Sequence, residues 1–293
     1  MPQKVQAVAV EENTSGGIFD DALGVLRRSY GVALDALRIE RLVVGIFVTA
    51  VKLSNGCGGV AYTPPEIIER AGRRLLHDHA RPIRGMAAAA VAGGEAFGPF
   101  SPVIRLATLN ALSVPLLEER SRGLPSDDVS VYRSLVSGRR VCMVGAMVPL
   151  IKHLSTLAPA ALLVIDKKYE TLDEVKRGTV VPLDRLSETL ASCETAILTG
   201  ATIPNGSITG LLEMMSPQAA VVVTGPTAGF VPEPLFGRGV ALIGTTVVTN
   251  ADRTVDILSE GGGMYRLFDD CLRKISLPNT ARLQELGLQP TSV

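Results

Sequence analysis

TAILTGAT (residues 195–202) and AAVVVTGPT (residues 219–227) are two copies of one pattern, an apolar run that closes on Thr-Gly-x-Thr. A buried strand that ends in such a glycine turn and leads into a helix is typical of the ligand-binding edge of a parallel α/β sheet. At that edge, backbone N–H groups and helix N-termini attract polar and anionic ligands. Because both turns follow strands, we expect them to lie at the same edge and to build one pocket.

The rest of the rear half repeats this alternation of strand and helix. Strands are predicted at 140–145, 161–165, 195–199, 219–224 and 239–244, and helices at 149–157, 184–192 and 206–215. Strands that alternate with helices indicate an open, doubly wound, Rossmann-like parallel sheet. In such a sheet the loops that follow the strands carry the site.

The front half has strands first and helices after. A strand is expected at 3–10, then an amphipathic helix, then a hairpin of 41–53 with 57–62, and then helices that begin near Pro64 and Ser101. This order predicts a small α+β domain.

The stretch 119–130 is polar and contains glycine and proline, which is typical of a domain boundary. The predicted organisation is therefore an α/β protein with an α+β front domain at 1–125 and a Rossmann-like ligand-binding domain at 126–293.

Composition excludes several classes of protein. Lys+Arg and Asp+Glu are equal at 29 each in 293 residues, so the chain lacks the basic excess of a nucleic-acid binder. Aromatic residues make up 4% and tryptophan is absent, which disfavours base stacking. We find neither a signal peptide nor an apolar run of roughly 20 residues, so we expect a cytoplasmic protein that does not enter a membrane.

The expected assembly is a homo-oligomer, most simply a homodimer. The mean hydropathy of +0.29 is apolar for a soluble chain, and twofold dimers are the commonest closed assembly.

The turn VGAMVP (144–149) lies where a dinucleotide-binding fold holds pyrophosphate. It has a single glycine, Gly145, instead of the GxGxxG pattern, which disfavours NAD. Asp166 ends the next strand, where an acid accepts ribose hydroxyls in folds that bind dinucleotides or S-adenosylmethionine. Alternatively, Gly145 and Pro149 only shape a tight turn, and Asp166 is a solvated acid at a strand end.

The two Thr-Gly-x-Thr loops supply the remaining candidates. Asn205 or Ser207 can cap the following helix, which would leave the hydroxyls of Thr199 and Thr202 free for a ligand. The hypothesis is that Thr202 and Asn205 hold a ligand carboxylate; the alternative is that they only cap the helix. The full set of candidate ligand-binding residues is Gly145, Pro149, Asp166, Thr199, Gly200, Thr202, Asn205, Thr224, Gly225 and Thr227.

The spacing of the histidine and cysteine residues gives little indication of a metal site. His77 and His79 are two apart near a predicted helix end, His153 is isolated, and the four cysteines are scattered. A dedicated zinc site of the usual types is not predicted from this pattern.

Several ordered stretches resemble one known family, whose members are described as putative heavy-metal chelatases. The matching stretches are Gly45–Pro64 (GIFVTAVKLSNGCGGVAYTP), Ala107–Leu112 (ATLNAL), Val141–Pro149 (VCMVGAMVP), Leu198–Met214 (LTGATIPNGSITGLLEM), Val223–Phe236 (VTGPTAGFVPEPLF) and Val240–Thr245 (VALIGT). The resemblance runs from about 15 to 275. It implies an enolase-N-terminal-like domain followed by a Rossmann-like domain, and binding of a metal or metal chelate.

The chain also departs from that family. The first rear turn is usually similar to Gly-His-Phe-Pro, whereas here Ala146, Met147 and Val148 precede Pro149. A histidine that could bind a metal or transfer a proton is therefore missing from the expected pocket.

Two functions from different classes remain open. The first is binding of a small polar or anionic ligand, including a divalent metal or its chelate, at the edge of the rear sheet. The second is an enzyme that acts on a small metabolite with a nucleotide-like cosubstrate such as S-adenosylmethionine, bound across Gly145 and Asp166.

Overall fold

The computed structural model describes residues 16–74, 82–95, 98–124, 128–167 and 178–288. The strand expected at 3–10 and the two histidines at 77 and 79 lie outside these ranges.

The front part is a three-stranded antiparallel sheet with helices packed on it. Its elements are α1 Gly16–Tyr30, β1 Ile39–Val44, β2 Val48–Leu53, β3 Gly58–Tyr62, α2 Pro65–Arg74, α3 Ala88–Gly93 and α4 Ser101–Arg120. The stretch 41–53, predicted as one strand, is two strands. The chain reverses at Gly45, whose N–H donates to the carbonyl oxygen of Val48 at 3.1 Å.

The rear part alternates strands and helices as predicted. Its strands are β4 Arg140–Val144, β5 Ala161–Ile165, β6 Thr179–Val180, β7 Thr195–Thr199, β8 Ala220–Thr224, β9 Val240–Val248 and β10 Leu272–Pro278. Its helices are α5 Asp128–Val136, α6 Val148–Ser155, α7 Leu186–Ser192, α8 Ile208–Glu213, α9 Glu233–Phe236, α10 Ala251–Ser259, α11 Met264–Asp270 and α12 Thr280–Glu285.

The strands of the rear part form one sheet in the order β10-β9-β8-β7-β4-β5-β6. All neighbours pair in parallel except β10, which is antiparallel to β9. Starting from β4, the chain extends the sheet through β5 and β6 on one side, then returns to add β7, β8 and β9 on the other. This is the strand order of the dinucleotide-binding fold, with a switch point between β4 and β7. The predicted α/β fold class is confirmed.

Helix α4 lies between the two sheets. By length and composition, residues 98–120 could cross a membrane (mean hydropathy 1.4), yet 67% of that window is buried inside the protein. The helix contacts β2 and β3 on one side and β9 on the other. These contacts make α4 a core helix of the fold.

Two adjacent glycines allow β3 to fit between its neighbours. A Cβ on Gly59 would lie 2.2 Å from the carbonyl oxygen of Ala107 in α4. A Cβ on Gly58 would lie 2.8 Å from the side chains of Val248 and Ala251 in the rear part. Because β3 touches α4 through one glycine and the rear part through the other, its end is fixed against the edge of the rear sheet.

Alkaline pH is expected to destabilise the fold through two buried thiols. Burial, followed by the nearby Cys193, raises the pKa of Cys142 from 9.0 to about 12, and burial raises the pKa of Cys193 to about 11. Above pH 9 the unfolded chain binds fewer protons than the folded one, so the free energy of unfolding should fall as pH rises towards 11. Below pH 9 these thiols should leave it unchanged.

Urea unfolding at a series of pH values from 7 to about 11 measures this slope. The double variant Cys142→Ala/Cys193→Ala should be less stable at pH 7, because methyl groups fill less of the core. Its stability should nevertheless decline less steeply above pH 9. Equal slopes in the variant and the parent chain would contradict the assignment to these thiols.

Candidate functional site

The switch point brings two of the predicted turns into contact. Val144 pairs with Leu198, so β4 and β7 end at the same level of the sheet. Gly145 and Thr199 lie at these two strand ends, and a Cβ on Gly145 would lie 2.4 Å from Cγ2 of Thr199. The turn therefore requires glycine, both for this contact and for its φ of +89°.

Asp166 holds the Gly145 turn in place. The N–H of Gly145 donates to the carbonyl oxygen of Ile165 at 2.8 Å, and the N–H of Ala146 donates to Oδ2 of Asp166 at 2.7 Å. The turn leads into α6, where Pro149 is the second helical residue and no side chain caps the helix. Asp166 thus orients the turn that leads into the N-terminus of α6.

Thr199 and Thr202 have different roles in the first Thr-Gly-x-Thr loop. Oγ1 of Thr199 accepts a long hydrogen bond of 3.4 Å from the N–H of Ala201, and the residue is partly exposed. The hydroxyl of Thr202 donates to the carbonyl oxygen of Thr199 at 2.7 Å, and the residue is 4% exposed. The expectation that both hydroxyls stay free is wrong for Thr202, because its hydroxyl closes the turn.

Asn205 shapes the approach to helix α8. Its Oδ1 accepts hydrogen bonds from the N–H of Ser207 at 3.0 Å and from the hydroxyl of Ser207 at 2.8 Å. Ser207 is the N-cap of α8 without a side-chain capping bond. Asn205, predicted as a possible cap, thus forms an Asx turn that precedes the helix.

The second Thr-Gly-x-Thr loop lies beside the first. Thr199 pairs with Thr224, and a Cβ on Gly200 would lie 3.1 Å from the backbone nitrogen of Ala228. Gly225 has a φ of +116° and donates its N–H to the carbonyl oxygen of Gly244 at 2.8 Å. The two loops therefore lie side by side and form one wall at this edge of the sheet.

Thr224 and Thr227 face the interior of that wall. Thr224 is 9% exposed and Thr227 is 4% exposed. Oγ1 of Thr227 accepts the N–H of Tyr62, at the end of β3, at 3.0 Å. Thr227 thus joins the rear loop to the front sheet.

The front part adds polar groups that the sequence analysis missed. Nζ of Lys167 lies 3.2 Å from Oε1 of Glu66. Burial, then the charge of Glu66 and then that of Asp166, raise the pKa of Tyr62 above its usual 10. Glu66 of α2 therefore contacts the residues that follow β5 in the rear part. The stretch GVAYTP (59–64) carried the signal, since a tyrosine ends its strand beside the rear sheet.

A bare metal ion does not fit the residues described. Within those ranges no group of three or more His, Cys, Asp or Glu side chains is arranged to hold one. His153 lies on α6, and its Nε2 is buried without a hydrogen-bond partner.

Comparisons with known proteins agree with this architecture. A family model described as "Putative heavy-metal chelation" (DUF364) matches residues 127–277, and a second model with the same description (DUF4213) matches residues 27–113. A search of curated proteins found no match.

Two similar solved structures are DUF364 proteins of unknown function. The protein from Pyrococcus horikoshii is 19% identical, with a TM-score of 0.67 over 90% of this chain and 99% of that one. The protein from Desulfitobacterium hafniense is 18% identical, with a TM-score of 0.64 over 90% of this chain and 98% of that one. At these identities the structures show the shared fold. With the family model covering just over half of its residues, the chain belongs to the DUF364 family.

Proposed function

We propose that this protein binds a small polar ligand that carries a carboxylate, either free or as its metal chelate, in the crevice between β4 and β7. The observation that carries the proposal is the contact between the Gly145 turn and Thr199 at the switch point. The N-terminus of α6 and the hydroxyl of Thr199 are suited to the oxygens of a carboxylate.

In this proposal the metal is bound as part of the ligand and is not a resident cofactor of the protein. The family description supports a role in metal handling. The described residues lack a three-ligand group, so the ligand itself would supply most of the donors. A chelate with carboxylate oxygens and an amine nitrogen meets the preferences of divalent transition metals.

The alternative with S-adenosylmethionine has less support. It requires Asp166 to accept ribose hydroxyls, and Oδ2 of Asp166 already accepts the N–H of Ala146, which leaves fewer acceptor positions for a ribose. We therefore keep it as one arm of the experiment below.

Calorimetry with five probes tests the proposal: L-histidine, citrate, the Ni²⁺ complexes of both, and S-adenosylmethionine as the competing ligand. The Thr199→Val variant should bind the preferred carboxylate probe about tenfold more weakly than the parent chain, since it loses the hydroxyl at the crevice. Its unfolding midpoint should change little, because the hydrogen bond from Ala201 is long.

Thr202→Val is the matched control from the same loop. It should keep its affinity and lose about 1 kcal/mol of stability, because the carbonyl oxygen of Thr199 loses its buried donor. Equal affinities of the Thr199→Val variant and the parent chain would count against the proposal. Binding of S-adenosylmethionine alone would favour the enzyme.

The proposal also includes the domain division, the assembly and the location of the protein. We expect two domains divided near residue 125, assembled as a homodimer in the cytoplasm. The family models support the division, since one ends at 113 and the other begins at 127. A monomeric mass by light scattering would argue against the dimer.

A further inference from the structure

Four residues form one row across the carboxyl edge of the rear sheet. Gly145 follows β4 at the level of Thr199, which pairs with Thr224, which in turn pairs with Gly244. The residues two positions earlier in these strands pack in one cluster with Tyr132 of α5; they are Met143, Ile197, Val222 and Leu242. Because side chains alternate along a strand, the row lies on the face of the sheet that α5 covers.

The glycines of this row leave room for hydroxyl groups. A Cβ on Gly244 would lie 2.8 Å from the hydroxyl oxygen of Tyr132 and 3.2 Å from Oγ1 of Thr224. At the other end of the row, the absence of a side chain on Gly145 accommodates Thr199, as described above. The row is therefore lined by hydroxyl-bearing side chains of two strands and one helix.

β9 continues beyond this edge and adds a third threonine. Thr246 comes two residues after Gly244, so its side chain is on the face that carries Thr224. Its Oγ1 is buried and has no hydrogen-bond partner in the described part of the chain, and the residue is 7% exposed. Val248, two residues further, would lie 2.8 Å from a Cβ on Gly58. The front sheet thus closes this end of the row.

The three threonines have hydroxyl hydrogens that no acceptor uses. Oγ1 of Thr199 accepts the N–H of Ala201, which leaves its own hydrogen for donation. The hydroxyls of Thr224, 9% exposed, and Thr246 make no hydrogen bond to the described residues. Buried hydroxyls are as a rule paired, and three spare donors suit a group that only accepts hydrogen bonds. A carboxylate is such a group.

The spacing of the three donors suits a ligand with two acceptor groups. Neighbouring strands are about 4.8 Å apart, so the two oxygens of one carboxylate can accept hydrogen bonds from Thr199 and Thr224 together. Thr246 lies about 7 Å further along β9 than Gly244, beyond the reach of that carboxylate. Its hydroxyl therefore needs a second acceptor on the same ligand.

We propose that Thr224 and Thr246 contact the ligand, and that the ligand is a carboxylate with a second hydrogen-bond acceptor. The carboxylate bridges Thr199 and Thr224, and the second acceptor lies at Thr246. This inference rests on the proposed function; it extends the site from the switch point to β9 and narrows the ligand class.

Calorimetry at pH 8 with two matched pairs of probes tests the ligand class. L-Histidine is paired with L-phenylalanine, and glutarate with pentanoate; only the first member of each pair has a second acceptor. In the pair that the parent chain binds more tightly, the first member should bind at least tenfold more tightly than the second. Equal affinities within both pairs would overturn the second acceptor at Thr246.

Two valine variants test the residues. Thr224→Val and Thr246→Val should each weaken binding of the preferred probe about tenfold, while the urea unfolding midpoint stays unchanged or rises. The midpoint should not fall, because each variant removes a buried hydroxyl that has no partner in the protein. Thr254→Val is the matched control: Thr254 is 2% exposed and its hydroxyl donates to the carbonyl oxygen of Asn250 at 2.7 Å. This control should have a lower midpoint and the affinity of the parent chain.

The remaining outcomes distinguish this inference from the proposed function. Unchanged affinity in Thr224→Val or Thr246→Val, with binding lost in Thr199→Val, would overturn the inference and leave the proposed function standing. The hydroxyls would then hold only a buried water if the midpoint also falls. A parent chain that binds none of the carboxylate probes would overturn both.

Discussion

Replacing Gly59 with alanine is expected to lower the free energy of unfolding by about 3 kcal/mol or more. The added Cβ would lie 2.2 Å from the carbonyl oxygen of Ala107 and 2.3 Å from the backbone nitrogen of Ala111. Both obstacles are backbone atoms of α4, so no side-chain rotation can relieve them. Either β3 or the helix must move, and both belong to the core that joins the front and rear parts.

Gly210→Ala is the matched control, because nothing lies within 4 Å of a Cβ at that position in α8. It should raise stability by about 0.5–1 kcal/mol, since alanine is the better helix former. Urea unfolding of the three proteins measures both changes. A Gly59→Ala variant as stable as its parent would mean that α4 and β3 can separate without cost.

The Gly59→Ala substitution should also affect ligand binding. Movement of β3 or α4 disturbs the loop that follows β8, because Tyr62 and Asn110 both bond to Thr227 in it. Any Gly59→Ala protein that folds should therefore also bind the histidine probe more weakly. Gly210→Ala, on a helix that follows the wall of the crevice, should leave binding unchanged.

Much of the rear fold could be predicted because its strands are continuous apolar runs closed by glycine turns. β7 and β8 were predicted with errors of at most one residue, since Thr-Gly marks the end of each. β6 was not predicted, because a strand of two residues is too short to show a hydrophobic pattern. β10 was not predicted, because it is an antiparallel edge strand with exposed Arg273 and Lys274 near its start.

The candidate site could be predicted only to the level of the loops. Convergence of the loops follows from parallel strands, because their carboxyl ends meet at one edge. The direction of each hydroxyl does not follow: Thr202 turns back to its own loop, and Thr227 turns to the front sheet. Tyr62 was missed because its place depends on how closely β3 packs on α4, a contact between residues about 50 apart in sequence.

Gly145→Ala is expected to have the second large effect, on stability and on binding together. The new methyl group would lie 2.4 Å from Cγ2 of Thr199, and the φ of +89° is strained for any residue other than glycine. Thr199 cannot swing away freely, because β-branched side chains are stiff at χ1. We expect a loss of about 2–4 kcal/mol and at least tenfold weaker binding of the histidine probe.

A second substitution divides this effect into its two causes. Thr199→Ser removes the methyl carbon at 2.4 Å and keeps the hydroxyl, whose oxygen would be 3.8 Å from the new Cβ. The double variant Gly145→Ala/Thr199→Ser should therefore regain part of the stability. The contact with Cβ of residue 199, at 2.9 Å, and the backbone strain of about 1–2 kcal/mol should remain. The affinity for the histidine probe should recover only to the extent that the N–H of Ala146 regains its hydrogen bond to Asp166. If the double variant is no more stable than Gly145→Ala alone, the contact across the switch point is not what requires glycine there.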